Sequence, residues 1–209
     1  MNEYTIAFLP RAYREVVRSE SKSRRFLNNL RFAGGAACPG CRDIVKITPD
    51  KFNRKHRCPE CGRRFNDFSG TMLASAKLPC SIIIMGAQLF IEGISANEAS
   101  LKLGVNYKTA LRLYGNIRRA VLEQHHFKKP YIAVNQEKRK ILIKPGFVSY
   151  LKKPGSLFKP GGKRKLKFSG RVAADKQIFF LKGQEFRYAR QGRPETLVRL
   201  LGYLVQTNG

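Results

Sequence analysis

Four of the five cysteines fall in two Cys-x-x-Cys pairs, Cys38/Cys41 and Cys58/Cys61, with 16 residues between the pairs. Thiols at this spacing are the ligand set of a four-thiolate metal site. Two residues between sulfurs let one tight turn present both to a single ion. Each pair carries turn chemistry: Pro39 and Gly40 inside the first, Pro59 inside the second and Gly62 just after it. Four protein ligands leave no open coordination position, so the expected cofactor is one structural Zn2+. Two disulfides, or a redox Cys-x-x-Cys, are the competing readings; a redox motif needs a single pair between a strand and a helix. His56, two residues before Cys58, reads as a solvated or backbone-bonded side chain, with a competing metal ligand as the alternative. Cys80 belongs to neither pair and reads as a small buried apolar residue.

The second chemistry is cationic. The chain of 209 residues carries 41 Lys plus Arg against 14 Asp plus Glu, a net charge of +27. Such an excess repels itself in a compact state and calls for a polyanionic partner. Nucleic acid comes first and an acidic membrane surface second. A purely protein-binding role fits the charge least. No run of 18 apolar residues occurs, so no membrane span is expected. The N-terminus lacks the basic-then-apolar order of a signal peptide. The expected setting is cytoplasmic and nucleoid-associated, where thiols stay reduced. Around the second cysteine pair, Arg54, Lys55, Arg57, Arg63 and Arg64 favour a polyanion over a merely solvated basic hairpin.

These groups need elements to hold them. "DIVKITPDKFNRKHRC" has strand-compatible residues on either side of Pro49 and Asp50, so a short hairpin can return the second knuckle to the first: a zinc-ribbon plan. Ser81 to Gly93 reads as a helix, with Ile82, Met85 and Leu89 at helical spacing and Ile83 and Phe90 widening the stripe. In "ISANEASLKLGVNYKTALRLYGNIRRAVLEQ", Ser95 with Glu98 makes a capping box. Gly104 is placed to end a short helix with positive φ, and Asn106 to cap the next. Ala99 is small where two helices must cross closely. Short helix, Gly-centred turn and second helix have the spacing of a helix-turn-helix. In the second helix Ala110, Leu113, Tyr114, Ile117 and Val121 form the expected buried stripe, with Lys108, Arg112, Asn116 and Arg119 near the opposite face. Tyr107, Lys108, Thr109 and Arg112 fall at the N-terminal end, the part that meets base edges in this motif. Arg grips guanine bidentately, while Lys or Thr holds phosphate. The alternative is an ordinary three-helix bundle with a solvated basic face.

"SESKSRRFLNNLRFAGGAACPGC", "HRCPECGRRFNDFSGTMLASAKLP" and "GISANEASLKLGVNYKTALRLYGNIRRAV" together resemble the N-terminal half of insertion-sequence transposases that begin with a zinc ribbon. That family has an amphipathic lead-in helix, the ribbon, a Gly-Thr and Lys-Leu-Pro connector, here Gly70-Thr71 and Lys77-Leu78-Pro79, and then a helix-turn-helix. The match runs from about Ser19 to Val121. It implies binding to DNA, typically transposon ends. In the family an RNase H-like domain follows, with an early Asp and further carboxylates that hold two metal ions for phosphoryl transfer. Here Lys128 to Gly209 offers only Glu137, Asp175, Glu185 and Glu195, with no Asp-Glu pair.

That last stretch carries 20 Lys plus Arg against those 4 acids, or +16 of the total charge. "KKPGSLFKPGGKRKLK", which contains Lys163, Arg164, Lys165 and Lys167, reads as a loop or basic arm that touches nucleic-acid backbone. "YIAVN" and "RKILIKPGF" read as strands. Leu166–Arg190 reads as a meander turning at Asp175-Lys176 and Lys182-Gly183. Pro194 is placed to open a helix whose stripe, Leu197, Leu200, Leu201 and Leu204, would cover the sheet. Strands followed by a helix are also how an RNase H fold begins, so a metal-free relic and an unrelated basic β-domain both stay open.

The expected fold is therefore α+β and multi-module: a helical lead-in (1–33), a ribbon (34–72), a helix-turn-helix bundle (73–127) and a basic β-rich region with a C-terminal helix (128–209). The expected function is non-catalytic binding of duplex DNA as a regulator or targeting subunit, alone, as a homo-oligomer or in a larger nucleoprotein complex. The alternatives are a short or partner-completed transposase or nuclease, and an RNA-binding ribonucleoprotein component.

Overall fold

The computed structural model describes residues 6–7, 9–32, 36–41, 44–45, 55–124, 132–135, 140–143, 158–160, 166–168, 174–190, 193 and 195–206. The chain divides into two compact units, Met1–Ala120 with Pro194–Gly209, and Val121–Arg193.

Among the described residues, the N-terminal part of the first unit holds the helices α1 (Arg11–Val17) and α2 (Glu20–Arg31). Two small antiparallel pairs follow: β1 (Ala36–Ala37) with β2 (Ile44–Val45), and β3 (Lys55–Arg57) with β4 (Arg64–Asn66). Pro49, Asp50 and Arg54 lie outside the described residues. Three helices come next: α3 (Cys80–Ile91), α4 (Ala96–Leu103) and α5 (Tyr107–Gln124).

α3 is the centre of the unit. Ten of its twelve residues are buried. The stripe read from the sequence broadens to nearly the whole circumference, as expected for a helix apolar all round. α1, α2 and α4 pack on it, and so does α7 (Thr196–Val205). α5 crosses it closely at Gly86. A Cβ there would lie 2.5 Å from Leu113 Cδ2, so only glycine fits without displacement. Farther along, the Phe90 and Tyr114 rings meet edge to face at 5.3 Å, and the buried Arg118 guanidinium lies over both.

Local chemistry sets the helix ends. Ser95 Oγ accepts from the Glu98 N–H, and Asn106 Oδ1 accepts from the Lys108 N–H. Gly104 ends α4 at φ 64°, a left-handed conformation that an L side chain resists. Glu20, in the first turn of α2, caps a different helix: its carboxylate accepts from the Cys80 N–H at 2.8 Å and from the Ser81 N–H and hydroxyl. Burial opposes ionisation of Glu20, but these donors outweigh it and lower its pKa. Cys80, beneath this cap, is fully buried. Desolvation and the nearby Glu20 push its thiol up to about 12.

Leu197, Leu200, Leu201 and Leu204 are buried, as their spacing requires. Their partner differs from the expectation. α7 packs on α2 and α3, not on a sheet. It starts at Thr196; Pro194 itself lies outside the described residues.

The second unit contains two hairpins, β5 (Ile132–Asn135) with β6 (Lys140–Ile143), and β7 (Phe158–Pro160) with β8 (Leu166–Phe168). Part of the stretch expected as a loose arm is thus paired. The expected meander over Leu166–Arg190 is corrected: beyond β8, residues Ala174–Arg190 form one helix, α6. Strong helix formers outweigh the aromatic pair Phe179-Phe180, and an interior glycine costs only about 1 kcal/mol. Leu181, Gly183, Glu185 and Phe186 are buried along it, and Lys182 Nζ reaches Glu185 one turn on, at 2.7 Å. Among the described residues, β5 to β8 form two separate pairs and no three-stranded opening of an RNase H sheet.

Candidate metal centre and nucleic-acid interface

The second knuckle is built by the β3–β4 hairpin. Cys58 N–H donates to Arg63 O, and Gly62 N–H donates to Cys58 O. Gly62 takes φ 69°, which explains a glycine directly after the pair. The first knuckle follows β1, and Gly40 N–H donates to Cys38 Sγ at 3.3 Å. Together they bring the four sulfurs within 4.8 Å of one another, with Cys38–Cys61 at 3.6 Å and Cys41–Cys58 at 3.7 Å. Those separations are far beyond a disulfide bond. They match the ~3.8 Å edge of a tetrahedron with metal–sulfur bonds of ~2.3 Å. The four cysteines could therefore hold one metal ion.

The electrostatics suit that role. Burial opposes ionisation of Cys38, but the N–H groups of Cys41 and Gly40, with Cys61 and Cys58 beside them, bring its thiol down to about 7. Metal binding requires thiolates, so this lowers the proton cost of loading. Cys38 and Cys58 are buried against Phe65, while Cys61 faces solvent.

His56 departs from the expectation. It is buried, and its Nε2 lies 2.7 Å from Asp67 Oδ1, between the rings of Phe32 and Phe65. Asp67 also accepts from Arg24 at 2.5 Å. Arg31 donates to the backbone oxygens of Asn66, Asp67 and Ser69. Burial alone would raise the Asp67 pKa; hydrogen bonds from His56 and Arg24 lower it. α2 is thereby fastened to the hairpin that carries the second knuckle. Sequence reasoning missed Glu20, Arg24, Arg31 and Asp67. One signal was present: with so few acids in so basic a chain, each acid in the lead-in and the ribbon is a candidate structural partner.

The expected contact residues separate into groups. Lys55, Arg57 and Arg64 are exposed on the outer face of β3–β4, whose inner face buries His56 and Phe65. Arg57 and Arg64 are direct cross-strand partners. Like charges so placed destabilise a hairpin unless an anion lies between them. Arg63 instead folds over the first knuckle, where a Cβ on Gly40 would sit 3.0 Å from its Cδ and Nε. On α5, Ala110, Leu113, Tyr114, Ile117 and Val121 are buried as expected. Asn106, Tyr107, Lys108, Arg112 and Arg119 are exposed, and Thr109 and Asn116 half-buried. Arg112 donates to Ser75 Oγ at 2.9 Å, which ties it to the segment linking β4 to α3. Lys163, Arg164 and Lys165 lie outside the described residues, and Lys167 falls in β8.

Asp175 and Glu185 sit ten residues apart on α6. That is ~15 Å of helix rise between their backbone positions. Among the described residues, no helix is long and apolar enough to cross a membrane.

No protein-family model matches the chain, and no solved structure matches it. The chain is similar to an uncharacterized protein in the transposable element ISH50 of Halobacterium salinarum, with 24% identity over 106 residues. The alignment covers 49% of this chain and 36% of that protein, about a third of the relative's length.

Proposed function

We propose that the chain is a transposase-derived protein that binds duplex DNA. Cys38, Cys41, Cys58 and Cys61 hold one structural Zn2+, and α4, Gly104 and α5 act as a helix-turn-helix. The observation that carries the reading is the exposed face of α5. Lys108, Arg112 and Arg119 stand opposite the apolar residues that α5 buries, in the same compact unit as the thiolate cluster. The similarity to a protein of a transposable element supports the origin, and the direct Arg57–Arg64 cross-strand register supports an anionic partner.

The four thiolates suit zinc because a soft, closed tetrahedral set leaves no place for substrate; the ion fixes the two knuckles. Asn106, Tyr107, Lys108 and Thr109 lead the helix into the major groove, where base edges are read by hydrogen bonds. Lys55, Arg57 and Arg64 supply charge to phosphates. Binding as a homo-oligomer to two half-sites, or inside a nucleoprotein assembly, is part of the same proposal. Strand cleavage is not.

Fluorescence anisotropy with labelled duplex DNA over a salt series tests this. With six to ten phosphate contacts, affinity should fall ~10³–10⁵-fold between 50 and 200 mM salt. Affinity nearly flat in salt would overturn the reading. Tighter binding of structured RNA than of duplex DNA at equal salt would move it to RNA.

A further inference from the structure

A cleft runs between α5 and the segment 71–78 that joins the ribbon to α3. Two lobes of about 450 and 490 Å3 share Ser75, Arg112 and Asn116, so they form one groove. Arg119 lines one end, and Lys77 and Lys108 line the other. No carboxylate lines either lobe. Among the described residues, none of Lys77, Lys108, Arg112 and Arg119 forms an ion pair. Arg112 has the Ser75 hydroxyl as its partner. Elsewhere in this unit cations drawn from solvent are matched: half-buried Arg24 has Asp67, and buried Arg118 has two aromatic rings. The groove is thus cationic by construction, with its charges held apart on two walls.

We propose that this groove seats one sugar-phosphate strand of bound DNA, with Ser75 and Lys77 as contact residues on the connector wall. The inference rests on the DNA-binding reading of α5 and adds a second wall to it. Lys108 to Arg119 spans eleven residues, ~16 Å of helix. Three cations on that helix and Lys77 across from it can face successive phosphates of one strand. An α-helix with its side chains already fills a major groove ~12 Å wide. The connector beside α5 therefore lies over the flanking backbone. Phosphate is held at this wall, and bases are met at the first turn of α5. Ser75, by holding the Arg112 guanidinium, keeps it aimed along the groove.

The test is the salt dependence of duplex binding by the full chain, with Lys77→Ala and Ser75→Asp against the parent. Both positions are exposed; metal content and far-UV circular dichroism check the fold. Lys77→Ala removes one phosphate contact, so the fall in affinity between 50 and 200 mM salt should shrink ~3.5-fold. Ser75→Asp gives Arg112 a carboxylate and repels phosphate, so it should shrink the fall ~10-fold. The ranking of different duplex sequences should not change in either. If the parent shows steep salt dependence and both variants match it, the groove is not a strand site and the reading of α5 stands. If the parent has no salt-dependent affinity for duplex DNA, both proposals fall.

Discussion

Replacing Asp67 with alanine should loosen the fastening between α2 and the β3–β4 hairpin. Asp67 is 3% exposed and accepts from both Arg24 and His56. Alanine leaves a half-buried guanidinium without its carboxylate and a buried imidazole without its partner at Nε2. Among the described residues the buried imidazole Nδ1 has no hydrogen-bond partner, so none of them gives the ring a second polar anchor. Removing one member of a buried charged pair costs about 3–5 kcal/mol. At roughly 2–4 °C per kcal/mol for a chain of this size, melting should drop by about 6–20 °C. Asp67→Asn retains an acceptor oxygen without the charge and should cost about half as much. Thermal melts and urea titrations on metal-loaded protein read both values. A loss under ~1 kcal/mol for alanine, or equal losses for the two variants, would refute the reasoning. The pH dependence carries the same signature. Hydrogen bonds hold the Asp67 carboxyl below its ordinary value despite burial. Its contribution is therefore complete above an unfolded pKa of ~3.9 and is lost as pH falls through the folded value. The stability difference between parent and Asp67→Ala should shrink on acidification below about pH 4.

Cys58→Ser should abolish stoichiometric zinc binding, and chelation of the parent, reachable from the exposed Cys61 side, should unfold β3–β4; metal analysis and near-UV spectra check both. Gly86→Val should cost about 1–3 kcal/mol by driving a side chain into Leu113. The cost should be smaller in a Leu113→Ala background, which a double-mutant cycle measures. Glu20→Ala should cost about 1–2 kcal/mol through the lost cap on α3, with Glu20→Gln losing less, read by urea denaturation.

What was legible in the sequence was what local chemistry decides. The cysteine spacing and the residue after Cys61 place both knuckles, because a turn needs only its own residues. Ser95, Gly104 and Asn106 give the ends of α4 and α5 for the same reason. Periodicity showed which residues of α5 and α7 are buried, but not against what. A stripe fixes a direction and no partner, so the α7 leucines went to the wrong surface. The segment 174–190 was misread because Lys182-Gly183 resembles a turn and Phe179-Phe180 a strand, while cooperative helix formation carried the chain through both. Glu20, Asp67 and His56 act on residues 11 to 61 positions away, where no spacing rule reaches.

The return of α7 has a consequence for how the protein is made. α7 packs on α2 and α3, yet about 165 residues separate Arg31 from Thr196. A ribosome delivers the two cysteine pairs and α1 to α5 long before the helix that closes over them. The knuckles and hairpins are local in the chain and can form as soon as metal is present. The apolar surface of α2 and α3 must wait, uncovered, while the second unit is synthesised. Covering that surface takes a long loop closure. α7 works as a latch: a nascent chain that has not yet reached it carries the four-cysteine cluster on an open core.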